Sequence, residues 1–170
     1  MRVNTLRRII IEFAVNHWLA GTKFFELKRK LLCSIGYEIG KKTKIVAPIY
    51  NTGNLKIGDN CWIGRSITIH GNGNVIIGNN CDLAPDIVFL TGGHRLDDAN
   101  RRAGDGESYT IKVGDGVWIG ARSTITKDTV IGNGSVIAAC ACVVRDVSEN
   151  TLVGGVPAKV IREFTDECSR

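Results

Sequence analysis

From Ile39 onward an isoleucine, leucine, valine or phenylalanine returns with a six-residue beat, at positions 39, 45, 57, 63, 69, 77, 83, 89, 113, 119, 125, 131, 137 and 143. A helix repeats near 3.6 residues and a half-buried strand repeats every two, so neither produces this spacing. Glycine follows directly in Ile57-Gly58, Ile63-Gly64, Ile77-Gly78, Val113-Gly114, Ile119-Gly120 and Ile131-Gly132, which predicts tight corners where unusual backbone angles are needed. A small or β-branched residue recurs with the same period, as at Cys61, Ile67, Cys81, Ile87, Val117, Ser123, Thr129 and Ser135. Three such hexads make a triangular coil of about 18 residues with aliphatic side chains stacked inward, the signature of a parallel β-solenoid.

Two interruptions locate the irregular parts. Two extra residues enter between Ile69 and Ile77. The stretch Arg95–Lys112 drops the aliphatic pattern yet keeps the register, since the step from 77 to 113 equals two whole coils; it is rich in Arg, Asp and Gly. It reads as a loop leaving the solenoid, and long polar loops on rigid scaffolds often carry function.

Ahead of the repeat the pattern is helical. Leu6, Ile9, Ile10, Phe13, Val15, Trp18 and Leu19, then Phe24, Phe25, Leu27, Leu31 and Leu32, alternate with Arg and Lys, giving one or two amphipathic helices. Residues 1–38 form this segment, 39–163 the solenoid and 164–170 a tail. The helical segment admits two compatible readings: a cap on the solenoid end, which any repeat stack needs, or a basic surface for anionic membranes through residues 1–34.

Charge sharpens that choice. The net charge is +5, but residues 1–44 hold ten Lys/Arg against three Asp/Glu, leaving twelve against fourteen elsewhere. The basic excess belongs to the arm, and no nucleic-acid motif accompanies it, so nucleic acid is not an expected partner. With 170 residues and 44% hydrophobic content, one domain with a small appendage is the expected organisation. The run around Ile9–Ile11 is broken by Glu12, Asn16 and His17 before a span could form, and no signal peptide is evident, so the cytoplasm, or the inner membrane face reached peripherally, is the expected location. Of six cysteines, Cys61 and Cys81 fall on small-residue positions of the repeat, and the pair Cys140 and Cys142 lacks companions at metal-ligand spacing; Cys33 and Cys168 stand alone. No metal is expected.

Phe89-Leu90-Thr91-Gly92-Gly93-His94 before the loop, Val117-Trp118-Ile119-Gly120-Ala121 after it, and Gly154-Gly155-Val156-Pro157-Ala158-Lys159-Val160-Ile161-Arg162 near the end, together with the hexads, resemble the hexapeptide-repeat acetyltransferases. The match is to the maltose, galactoside and polysaccharide O-acetyltransferase branch, over roughly residues 39–163. The resemblance implies a left-handed parallel β-helix, a homotrimer with active sites in clefts between subunits, and acetyl-CoA as co-substrate. It also implies site residues. His94 corresponds to the general base that takes a proton from an acceptor hydroxyl. The backbone N–H of Ala121 corresponds to the donor for the oxyanion. Trp118 and Ala139 would line the coenzyme A path, and Arg145, Lys159 and Arg162 would meet its phosphates.

The acceptor side departs from the family. Where maltose and galactoside acetyltransferases carry an asparagine-bearing segment, this chain reads Ile63-Gly64-Arg65-Ser66. Asp82 and the loop residues Arg101, Arg102, Asp105 and Glu107 are therefore the candidates for shaping the acceptor site. The expected reaction is O-acetylation of a sugar or a surface-polysaccharide precursor, with a lipid-linked glycan among the acceptors. The alternatives are N-acetylation of an amino sugar or antibiotic, and a non-catalytic scaffold. A carbonic anhydrase would need three histidines on a metal, and His17 of the three present lies in the helical arm.

Overall fold

The computed structural model describes residues 5–165; the first four residues, most of the tail (166–170) and with it Cys168 lie outside the described residues. Three parallel sheets form the three faces of a triangular prism. The first stacks Glu38–Ile39, Asn54–Ile57, Asn74–Ile77, Thr110–Val113 and Val130–Ile131; the second runs from Lys44–Ile45 through Trp62–Ile63, Asp82–Leu83, Trp118–Ile119 and Val136–Ile137 to Thr151–Gly154; the third stacks Ile49–Asn51, Ile67–His70, Val88–Leu90, Thr124–Thr126 and Cys142–Val143. Every aliphatic hexad position predicted to point inward is buried. The ladder of Ile45, Ile63, Leu83, Ile119, Ile137 and Val153 forms one continuous edge of the core.

The recurrent glycines follow the repeat for a reason other than backbone freedom. None of Gly58, Gly64, Gly78, Gly114, Gly120 and Gly132 has a positive φ. A Cβ on Gly64 would lie 2.7 Å from backbone atoms of Leu83 and Ala84, and one on Gly120 would lie 2.5 Å from the Ala139 nitrogen. Consecutive coils approach too closely there for any side chain. The left-handed angles fall instead two residues further on, at Asn60, Asn80, Gly116 and Gly134 and at Ser66 and Arg122, and at the equivalent positions Asp86, Cys140 and Asn150. Asparagine tolerates that conformation and adds side-chain bonds: Asn60 Nδ2 donates to Asn80 Oδ1 at 2.8 Å, and Asn79 Oδ1 accepts the Asp59 N–H at 2.8 Å.

The 36-residue step from Ile77 to Val113 is one coil plus an excursion, not two coils. Asn74–Ile77 pairs directly with Thr110–Val113. The extra residues leave as an antiparallel hairpin, Gly92–Leu96 with Ala103–Ser108, so the departing segment begins before Arg95 and is ordered rather than irregular. Buried Thr91 pins its base: its N–H and Oγ1 both reach the His70 carbonyl, at 2.8 and 3.1 Å, and its own carbonyl accepts the Tyr109 N–H at 2.8 Å. At the far end the last strand, Lys159–Glu163, turns back antiparallel onto Thr151–Gly154.

Two helices, α1 (Thr5–Phe13) and α2 (Phe25–Cys33), joined through a π-helical turn at Ala14–Trp18, close the first coil. Val15, Leu32 and Ile35 enter the core, while Ile11, Leu19 and Leu31 pack against it half-buried. Lys28 is also fully buried; its Nζ donates to the Gly21 carbonyl at 2.6 Å, and burial lowers its pKa. No described helix is long and apolar enough to cross a membrane.

Candidate active site

The hairpin presents His94 at the corner between the third and first faces. Its pairing partner across the hairpin is Gly106, and its Nδ1 lies 2.8 Å from the Gly104 carbonyl oxygen. A carbonyl only accepts, so Nδ1 carries the proton and Nε2 of the neutral ring is left with its lone pair. The residue is exposed. A Cβ on Gly93 would sit 2.9 Å from the Tyr109 ring, so a side chain at the preceding position would push that ring aside.

The remaining hairpin candidates are distributed along the same excursion. Arg95 and Asp105 form an exposed ion pair at 3.1 Å, Arg102 donates to the Asp97 carbonyl at 3.1 Å, and Glu107 accepts the Tyr109 hydroxyl at 2.9 Å. Arg101 is exposed. Below the hairpin, a depression of about 280 Å³ is lined by Glu107, Tyr109, Lys127, Asp128, Arg145 and Asp146, among others. Arg145 therefore shares a corner with His94. Lys127 and Tyr109 join this wall without any signal in the repeat pattern, since one is a corner residue with positive φ and the other closes the hairpin base.

Ala121 occupies a different corner, between the second and third faces. Its neighbours are committed, Gly120 N–H to Ile137 and Arg122 N–H to Pro85. Among the described residues the Ala121 N–H has no acceptor, and the same holds for Ala139 one coil below. Two unpaired N–H groups one coil apart, each beside a methyl side chain, are donors suited to an extended amide-bearing chain and to a developing oxyanion. Lys159 and Arg145 line one groove at the end of the solenoid. Arg162 lies beside Leu152 in the terminal pair and over the Phe164 ring. These small residues, free donors and cations fit coenzyme A in kind.

Asp82 sits elsewhere again. It pairs with Trp62 on one side and Trp118 on the other, on the outer surface of the second face, opposite the corner that carries the hairpin. Within one chain the structure therefore brings His94, Arg101, Arg102, Asp105, Glu107 and Arg145 to one corner. Asp82 and Trp118 lie on the far face, and Ala121 and Ala139 at the second corner. The strand of the third face separates His94 from Ala121 by about six extended residues, roughly 20 Å. Among the described residues no group of three or more His, Cys, Asp or Glu side chains could hold a metal ion.

Comparison with known proteins agrees with this architecture. Residues 110–145 match the bacterial transferase hexapeptide (six repeats) family model. A putative acetyltransferase of Saccharomyces cerevisiae is 39% identical over 116 residues, covering 68% of this chain but only 59% of the yeast protein, so the chain spans less than two thirds of that relative. The galactoside O-acetyltransferase of Escherichia coli is 32% identical over 143 residues, 83% of this chain and 70% of that enzyme. A hexapeptide-repeat acetyltransferase of Vibrio cholerae, also solved in complex with acetyl-CoA, superposes with a TM-score of 0.82, at 28% identity, over 95% of this chain and 90% of its own. With its three-faced solenoid, its hairpin and these relatives, the chain belongs to the hexapeptide-repeat acetyltransferases, the family of the galactoside O-acetyltransferase.

Proposed function

We propose that this chain is an acetyl-CoA-dependent O-acetyltransferase acting on a sugar hydroxyl, including those of surface-polysaccharide precursors. The observation that carries the reading is the Nδ1 contact of His94 with Gly104, which leaves Nε2 as the acceptor of the neutral ring. A sugar hydroxyl is a weak nucleophile at neutral pH, and a positioned imidazole removes its proton as bonding begins. Bound acetyl-CoA supplies an acetyl group activated as a thioester. The Ala121 N–H is placed on a rigid corner and costs nothing to reorganise when negative charge develops on an oxygen. Arg145 and Lys159 contribute cations for phosphate.

Because His94 and Ala121 stand on separate corners, a complete site needs two chains side by side. A closed ring of three prisms sets the hairpin corner of one copy against the Ala121 corner of the next, in three equivalent clefts. Asp82, flanked by Trp62 and Trp118, offers a carboxylate between two indole rings, a surface suited to sugar hydroxyls and C–H faces. Homotrimer formation and the acceptor role of Asp82 are part of this proposal. The test is release of free coenzyme A thiol from acetyl-CoA over a panel of sugars, nucleotide sugars and amino sugars. Acceleration by a hydroxyl acceptor supports the reading. Acceleration by amino sugars alone would move it to N-acetylation, and no turnover with any acceptor, lipid-linked glycans included, would refute it.

A further inference from the structure

Helix α1 is mounted with its polar side toward the protein and its apolar side outward. Arg8, Ile11 and Glu12 form the inner side: Arg8 Nε donates to Glu12 at 2.9 Å, and the Tyr37 hydroxyl donates to the same carboxylate oxygen at 3.1 Å. Asn16, a turn further on, both donates to the Ile49 carbonyl at 2.8 Å and accepts the Ile49 N–H at 3.0 Å. Leu6, Ile9, Ile10 and Phe13 recur at the spacing of one helical stripe and are 64, 58, 56 and 50% exposed; Trp18, stacked edge-on to Phe13, is 76% exposed. No residue of α1 is buried. A helix that only capped the solenoid would carry the opposite arrangement.

We infer that this outward stripe is a docking surface for an anionic lipid bilayer. Charge selects that occupant. On a helical wheel Arg7 borders the stripe next to Ile10 and is exposed, as is Lys23 in the following turn, and the first 44 residues hold the chain's whole cationic excess. Glu12, the only carboxylate of α1, is turned inward onto Arg8 and Tyr37, which leaves the outward side free of negative charge. Apolar side chains with an aromatic ring at the end of the stripe and cations at its edge are what an interfacial helix presents to headgroups. The inference does not depend on the reaction proposed for His94.

The test is co-sedimentation of the full chain with vesicles of phosphatidylcholine alone and of phosphatidylcholine with phosphatidylglycerol at physiological salt. Ile9→Ser/Phe13→Ser removes the stripe and Arg7→Glu reverses the edge charge, both at exposed positions. The expected result is binding to the anionic vesicles, reduced about fivefold or more on neutral ones and in either variant, with Trp18 fluorescence quenched by brominated acyl chains in the wild type and unquenched in Trp18→Phe. Absence of anionic binding, or binding unchanged in the double variant, overturns the inference. So does loss of subunits from the assembly of the double variant in sedimentation velocity, which would identify a second copy of this chain as the stripe's cover.

Discussion

The Nδ1 of His94 and the carbonyl oxygen of Gly104 stand 2.8 Å apart across the hairpin, and that contact fixes both the tautomer and the direction of the imidazole. The hairpin in turn is anchored at Thr91, whose side chain is fully buried between the His70 carbonyl and the core. The proposed base thus stands on an ordered excursion from a rigid scaffold, and the first consequence concerns its removal. His94→Ala should lower acetyl transfer by about 10²–10⁴-fold while leaving the unfolding midpoint unchanged, because the ring is exposed and its loss opens no cavity. Rates of coenzyme A thiol release and thermal unfolding, measured side by side, check this.

In the proposed reaction Ala121 acts through its backbone, so side-chain changes there separate donor from shape. Pro85 occupies the equivalent corner position one coil above, and its carbonyl accepts the Arg122 N–H just as the Ala121 carbonyl accepts that of Cys140. The corner therefore accommodates proline. Ala121→Pro should fold but lose about 10²–10³-fold in rate, and Ala121→Ser should retain most activity. Equal rates for the two variants would show that the N–H takes no part.

The two kinds of glycine in the solenoid should differ in what they tolerate. Gly116 has φ +68° and no atom nearer than 4.0 Å to an added Cβ, so Gly116→Ala should cost about 1–2 kcal/mol for the left-handed backbone alone. Gly64→Ala would place its Cβ 2.7 Å from the next coil's backbone, forcing the coils apart and costing more. Chemical denaturation ranks them, and the reverse order would contradict the stacking explanation.

The cap should weaken at alkaline pH through Tyr37. Burial, with the nearby Glu12 carboxylate, pushes its phenol up from 10.0 to about 12. The folded state then keeps a proton that the unfolded chain loses, so this contribution is intact below pH 10 and is lost as pH rises toward about 12. Tyr37→Phe should flatten that dependence and, by removing the hydroxyl bonded to Glu12, cost about 0.5–1.5 kcal/mol at neutral pH. Unfolding followed across this pH range in both proteins checks it.

The solenoid was legible in the sequence because each coil repeats the same burial at Ile63, Leu83, Ile119 and Ile137, so period alone carries the fold. The hairpin was legible only as a break. Its strands carry Gly, Asp and Arg rather than an alternating apolar face, and the length it inserts happens to equal a coil, which let the register of Val113 pass for two regular turns. The reason for the glycines after each aliphatic residue was likewise out of reach, since contact between coils is a tertiary fact. For the site, His94 and Ala121 came from resemblance, and their placement on separate corners appeared only with the coil geometry. Lys127 and Tyr109 carried no signal because corner residues and hairpin closures follow no period. The amphipathic character of α1 was legible, but not that its polar side faces inward, which depends on Tyr37, 25 residues from Glu12.

The central claim is that the site is shared, the base from one chain and the oxyanion donor from its neighbour. It is tested most directly by mixing two inactive proteins, His94→Ala and Ala121→Pro, under conditions that exchange subunits, and measuring coenzyme A thiol release with the best acceptor found. Random assembly places an intact His94 opposite an intact Ala121 in about one cleft in four, so activity should return to about a quarter of the wild-type rate. If exchange is verified and no activity returns, the base and the donor do not meet across a subunit boundary and the account of the site is wrong.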